Sequence, residues 1–138
     1  MAVRLPKNYK PSKDEPFMNA RQREYFRRKL EAWKADIMTE SRATLDHLQQ
    51  ETENIPDLTD RATTETDRAL ELRTRDRQRK LVSKIDQAIA RLDEKTYGYC
   101  DETGDPISLE RLDARPIATL SVEAQERHER REKVYRDD

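Results

Sequence analysis

Residues 81–92, LVSKIDQAIARL, carry apolar side chains at Leu81, Ile85, Ala88 and Leu92. These 4-3-4 steps keep four side chains on one side of a helix and are the spacing of a coiled-coil seam. The same steps recur upstream in residues 26–37, FRRKLEAWKADI, through Phe26, Leu30, Trp33 and Ile37. Val82 and Ile89 widen the second stripe, Leu70 extends it upstream, and Leu45 and Leu48 continue the first. Proline occurs at 6, 11, 16, 56, 106 and 116, and glycine only at 98 and 104. Two windows of near-equal length, 17–55 and 57–97, are therefore free of both helix breakers and meet at Pro56. The spacing predicts two long helices folded back on each other, each reaching roughly 50–60 Å at the rise of an α-helix. Asn19 is the expected cap of the first helix and Gly98 the left-handed residue closing the second. The stripe is densest at 26–37 and 81–92 and thins toward Pro56, which predicts a better packed base than tip.

Composition agrees with a helical, weakly cored chain. Of 138 residues, 41% are charged and 33% hydrophobic, against about 25% and 45–50% in an ordinary globular domain. No apolar run approaches the roughly 18 residues of a membrane span. Two glycines are too few for a many-turned β fold or a Gly-rich phosphate loop. The net charge of −1 speaks against bulk nucleic-acid affinity, since a generic DNA-binding protein is basic overall. The single cysteine, Cys100, cannot form an internal disulfide, and MAVRLPKNYKP has no apolar signal-peptide core. The chain is expected to be cytoplasmic and monomeric.

Three segments follow: an arm at 1–17, a helical hairpin at 18–97 with its tip at 54–62, and a small unit at 98–138. In the last, GYCDETGDPI (98–107) reads as a tight turn between extended pieces. SLERLDARP (108–116) reads as a short helix capped by Ser108 and stopped before Pro116, and SVEAQERHERREKVY (121–135) as a final helix capped by Ser121. So few apolar groups make a marginal unit by itself.

Charge is sorted along the hairpin. Residues 46–67 hold Asp46, Glu51, Glu53, Asp57, Asp60, Glu65 and Asp67 against Arg61 alone. Residues 68–84 hold Arg68, Arg73, Arg75, Arg77, Arg79, Lys80 and Lys84 against Glu71 and Asp76. Solvated surface pairs, worth about 0.3–0.5 kcal/mol each, account for the number of charges but not for their separation. A negative tip on a basic shaft suits insertion into a complementary partner.

NIPDLTDRATTETD (54–67), LELRTRDRQRKLVSKI (70–85), YGYC (97–100), RLDARP (111–116) and FRRKLEAW (26–33) together resemble the DksA family of bacterial transcription factors. The resemblance implies a mainly α fold: a long antiparallel coiled-coil hairpin plus a small zinc-finger-like globular unit and a C-terminal helix. It implies binding to RNA polymerase through the secondary channel, and modulation of initiation, for example at ribosomal RNA promoters, with the alarmone ppGpp in the stringent response. The family's tip residues map to Asp57, Asp60 and Ala62. Its polymerase- and ppGpp-side residues map to Arg77, Leu81, Lys84 and Arg115, and Gln125 stands where the family has a lysine. The alternative for Asp57 and Asp60 is helix capping against the dipole of the second helix. No catalytic residue is expected, because no histidine or further ligand lies near the paired carboxylates in sequence and the family is not enzymatic.

The family's C-x2-C-x17-C-x2-C zinc signature falls on Cys100, Thr103, Ser121 and Ala124. One thiolate cannot hold structural zinc, so a zinc-free unit is expected, with no metal or cofactor beyond ppGpp as co-effector. Apolar packing by Tyr97, Tyr99, Ile107, Leu109, Leu112, Ile117, Leu120 and Val122 is expected to replace the metal, helped by hydroxyl bonds at Thr103 and Ser121. Asp101 and Glu102 are expected to raise the Cys100 thiol pKa, and His47 and His128 to be exposed helix residues. Two rival readings are a transcript-cleavage factor of the same channel, which carries a larger β-rich domain, and a coiled-coil scaffold with no polymerase partner.

Overall fold

The computed structural model describes the backbone of residues 3–53 and 58–137; side chains at 48, 51–53, 58–62 and 135–137 lie outside the description. Four helices account for most of it: α1 (Ala20–Glu53), α2 (Leu58–Glu94), α3 (Leu109–Ala114) and α4 (Val122–Asp137). The start of α1 is set locally, because Asn19 Oδ1 accepts from the Gln22 amide at 2.9 Å and satisfies one orphan donor of the first turn. Its end and the start of α2 flank Pro56, where the sequence predicts the bend.

The closure of α2 differs from expectation. Lys95, not Gly98, is the left-handed residue after the helix, with φ of 64°. The Lys95 amide donates to the Leu92 carbonyl and the Thr96 amide to the Arg91 carbonyl, the paired bonds of a Schellman motif. Gly98 is left-handed too, at φ 93°, but its lack of a side chain serves packing. A Cβ there would lie 3.1 Å from Phe17 Cζ and 3.2 Å from Met18 Cε.

The chain divides into two compact units whose boundaries fall within both long helices. One comprises residues 31–86. Here Lys34 bonds Asp86, Glu40 bonds Gln78, and His47 lies 3.4 Å from Glu71. Partners descend along α2 as they ascend along α1, which establishes an antiparallel coiled-coil pair. Among the described residues, Ile37 and Ile85 are its buried apolar side chains. Trp33, Leu45, Leu81 and Val82 are half-buried. Leu70, expected in the stripe, is 54% exposed: at this level the inward positions of α2 are Glu71, Arg75 and Gln78, which bury side-chain polar atoms. Leu48 lies outside the described side chains.

The other unit comprises residues 1–30 and 87–138. Phe26 and Leu30 of α1 and Ala88 and Leu92 of α2 are buried there, with Tyr97, Cys100, Ile107, Leu112, Ile117, Ala118 and Ala124. Each large apolar side chain removed from water contributes about 1.5–3 kcal/mol. Residues 98–107 form the expected turn: Tyr99 and Pro106 make an antiparallel bridge, and the Cys100 amide donates to the Asp105 carbonyl at 2.8 Å. Ser108 caps α3 through the Arg111 amide, and Ser121 caps α4 through the Ala124 amide, both at 3.2 Å.

The arm is tied down through Gln22, a fully buried polar side chain. Its Oε1 accepts from the Met18 amide at 2.8 Å and its Nε2 donates to the Ser12 carbonyl at 3.2 Å. Tyr9 donates to Glu15 at 2.9 Å, and burial together with that carboxylate raises the Tyr9 pKa to about 12.

Candidate functional site

Arg77, Leu81 and Lys84 fall at i, i+4 and i+7 on α2, the spacing that puts side chains on one helix face. Leu81 is half-buried and both cations are exposed. An aliphatic anchor between two fixed positive charges is suited to an anionic or acidic protein surface. Arg115 belongs to the other unit, as the exposed C-cap residue of α3. Gln125, on α4, donates to Glu129 at 3.2 Å. Asp57 lies outside the described residues; Asp60 and Ala62 fall in the first turns of α2, with side chains outside the description.

The four positions of the zinc signature present a donor set that does not suit the metal. Ala124 is fully buried and offers no donor atom. The Ser121 hydroxyl accepts from the Ala124 amide at 3.2 Å, and the Thr103 hydroxyl from the Asp105 amide at 3.2 Å. Both oxygens thus serve local backbone donors, and one thiol remains where zinc requires several thiolates or imidazoles. Among the described residues no group of three or more His, Cys, Asp or Glu side chains gathers to hold a metal ion.

The environment of Cys100 overturns the expectation drawn from its acidic neighbours. Cys100 is buried, at 3% exposure. Burial pushes its thiol pKa up, but the Thr103 hydroxyl and the amides of Ser121, Thr103 and Glu102 donate toward the sulfur and prevail, leaving a pKa of about 6. Donors from Ser121 and from the 102–103 turn thus outweigh burial at this sulfur.

The apolar residues expected in this unit's core are buried in part. Tyr97, Ile107, Leu112 and Ile117 are buried, and Leu109 and Leu120 are half-buried. Tyr99 and Val122 are 40% and 44% exposed, because Tyr99 instead packs its ring edgewise on Phe17, at 5.4 Å between centroids, and Val122 opens α4 on its solvent side. The Tyr97 hydroxyl donates to the Pro116 carbonyl at 2.7 Å, and Arg111 Nε donates to the Leu120 carbonyl at 2.8 Å.

A polar cluster that no sequence spacing reveals ties α3 to α1. Asp113 Oδ1 accepts from the Tyr25 hydroxyl at 2.6 Å and from Lys29 Nζ at 2.5 Å. Lys29 and then Tyr25 hold the Asp113 pKa below the usual carboxylate range. Burial and that carboxylate raise the Tyr25 pKa to about 12. Asp113 lies inside RLDARP, yet its partners are more than eighty positions upstream. His47 and His128 are exposed helix residues facing Glu71 and Glu132.

Comparison with known proteins agrees with this arrangement. Residues 22–92 match the family described as the DnaK suppressor protein DksA, N-terminal domain, and residues 95–130 match the prokaryotic dksA/traR C4-type zinc finger. The chain is 71% identical over 131 residues to the RNA polymerase-binding transcription factor DksA of Caulobacter vibrioides, covering 95% of this chain and 92% of the relative. It is 40% identical over 133 residues to the protein of that name in Escherichia coli strain K12, covering 96% and 88%. Transcription factor DksA2 from Pseudomonas aeruginosa superposes with a TM-score of 0.80 at 38% identity, covering 87% of this chain and 95% of that one. With matching sequence over nearly its whole length and the same coiled-coil and C-terminal architecture, this chain belongs to the DksA family.

Proposed function

We propose that this chain is a non-enzymatic regulator of RNA polymerase that enters the secondary channel with its coiled-coil hairpin and modulates initiation. The observation that carries the reading is the 71% identity, over 95% of the chain, to a protein named as an RNA polymerase-binding transcription factor. The charge order along the hairpin gives it a physical basis. Asp57 and Asp60 are the acidic groups delivered toward the catalytic centre, with Ala62 beside them. Arg77, Leu81 and Lys84 hold the shaft on polymerase, and Arg115 faces ppGpp from the other unit. Gln125 supplies no positive charge at the family's lysine position, and the transcription assay with and without ppGpp reads how strongly the alarmone couples to this protein. The protein acts as a cytoplasmic monomer, without sequence-specific DNA contacts.

The C-terminal unit works without zinc in this proposal. Its single thiol, buried alanine and occupied hydroxyls are a poor donor set, and the Tyr97–Ile107–Leu112–Ile117 core with the Asp113 cluster supplies cohesion.

The test is transcription in vitro from a ribosomal RNA promoter with purified polymerase, with and without ppGpp. Asp57→Asn and Asp60→Asn should keep polymerase affinity and lose regulation, whereas Arg77→Ala should lose affinity. Equal loss of affinity from both kinds of change would contradict the division between tip and shaft. Cleavage of the transcript in a paused complex would replace regulation by a cleavage role.

A further inference from the structure

The Arg77–Leu81–Lys84 face does not account for all the exposed apolar and basic surface in the 31–86 unit. A groove of about 240 Å³ is lined by Ile37, Met38 and Ser41 of α1 and by Arg75, Gln78, Arg79 and Val82 of α2. Arg75, Arg79 and Val82 lie on the opposite flank of the α2 seam from Arg77 and Lys84, by the 100° turn between successive helix residues. The floor is aliphatic, and Met38 leaves 48% of itself exposed there. The lining includes two arginines and no carboxylate. Arg79 pairs with Asp76 at 4.0 Å on exposed side chains, and among the described residues Arg75 Nε, Glu71 Oε2 and Gln78 Oε1 are buried without a hydrogen-bond partner. The volume falls below the roughly 300 Å³ at which small-molecule pockets begin, so it suits a side chain of a larger partner better than a free ligand.

We infer that this groove is a second contact with RNA polymerase, taking an aliphatic side chain of polymerase between Ile37, Met38 and Val82 and an adjacent Asp or Glu against Arg75 and Arg79. The inference rests on the channel-binding reading above and adds a flank to it. Charge complementarity commits the groove to an acidic, apolar protein segment: nucleic acid would meet the arginines but leave the exposed Met38 uncovered by matching apolar surface. With both flanks engaged, the hairpin is held on two sides and rotation about its long axis is blocked.

The experiment measures affinity of the full-length protein for purified polymerase. Met38→Asp places a negative charge on an already exposed side chain and should weaken binding about tenfold, with Arg75→Gln close behind. Met38→Leu should bind like the parent. Helix content and melting temperature by circular dichroism verify folding, and a photo-crosslinking residue at position 38 gives a readout independent of folding stability. The crosslinked polymerase peptide should contain an aliphatic residue within one helical turn of a carboxylate. Parent-like affinity of Met38→Asp alongside weakened Arg77→Ala overturns the groove and leaves the channel reading standing. A crosslink to nucleic acid or to a basic peptide overturns it as well. Failure of the parent protein to bind polymerase overturns the channel reading, and the groove's occupant with it.

Discussion

Two glycines offer a controlled measurement of how firmly the N-terminal arm is packed. Gly98 and Gly104 both have positive φ, 93° and 75°, so alanine at either pays for a left-handed backbone, about 1–2 kcal/mol. Alanine also stiffens the unfolded chain, which returns about 0.4–1 kcal/mol. Gly104→Ala should therefore cost about 1 kcal/mol, since a Cβ there meets nothing within 4 Å. Gly98→Ala meets Phe17 Cζ at 3.1 Å, Met18 Cε at 3.2 Å and Met18 Cγ at 3.3 Å, and overpacking of that kind adds about 1–3 kcal/mol. The expected total is about 2–4 kcal/mol. The difference between the two variants isolates the crowding from the backbone term. Urea denaturation followed by circular dichroism reads it, and Phe17→Ala in the Gly98→Ala background should recover part of the loss as a coupling energy. Equal destabilisation by the two alanines, or no coupling to Phe17, would refute the claim that Gly98 is required by the arm.

Three further outcomes are expected. Gln22→Leu should cost about 1–3 kcal/mol by orphaning the buried Met18 amide, and limited proteolysis should show earlier cleavage before Ala20; an unchanged proteolytic pattern would contradict the role assigned to Gln22. Asp113, with its folded pKa below the unfolded value, contributes stability that is fully present above the unfolded carboxylate pKa, about 3.9, and is lost as pH falls through the folded one; Asp113→Asn should lower the melting temperature at neutral pH and flatten its decline in acid. Prolonged chelation should leave the helix content and melting temperature unchanged and zinc addition should not raise them, as followed by circular dichroism; a shift on either treatment would mean that the 98–138 segment holds metal.

The legible part of this protein was the part written in local order. Helix α1 begins behind Asn19 because a cap acts over three residues. The α1–α2 pairing follows the 26–37 and 81–92 stripes because a seven-residue pattern constrains which faces meet. Ser108 and Ser121 cap their helices for the same short-range reason. The family motifs were legible too, since they are residue strings.

Tertiary packing decided the rest. Leu70 fits the periodicity, but burial depends on what the opposing helix presents, and there Glu71, Arg75 and Gln78 turn inward. Gly98 is the better left-handed former in isolation, yet Lys95 closes α2, and Gly98 is needed for its contact with Phe17 and Met18. The Cys100 pKa depends on the direction of amides contributed from Ser121 as well as from its own turn, whereas the sequence shows only the charges beside it. Asp113 meets Tyr25 and Lys29 across more than eighty residues of chain. Spacing carries information about neighbours along a helix; it carries none about which side chain a folded backbone will bring from far away, and those encounters set the burial, hydrogen bonding and titration found here.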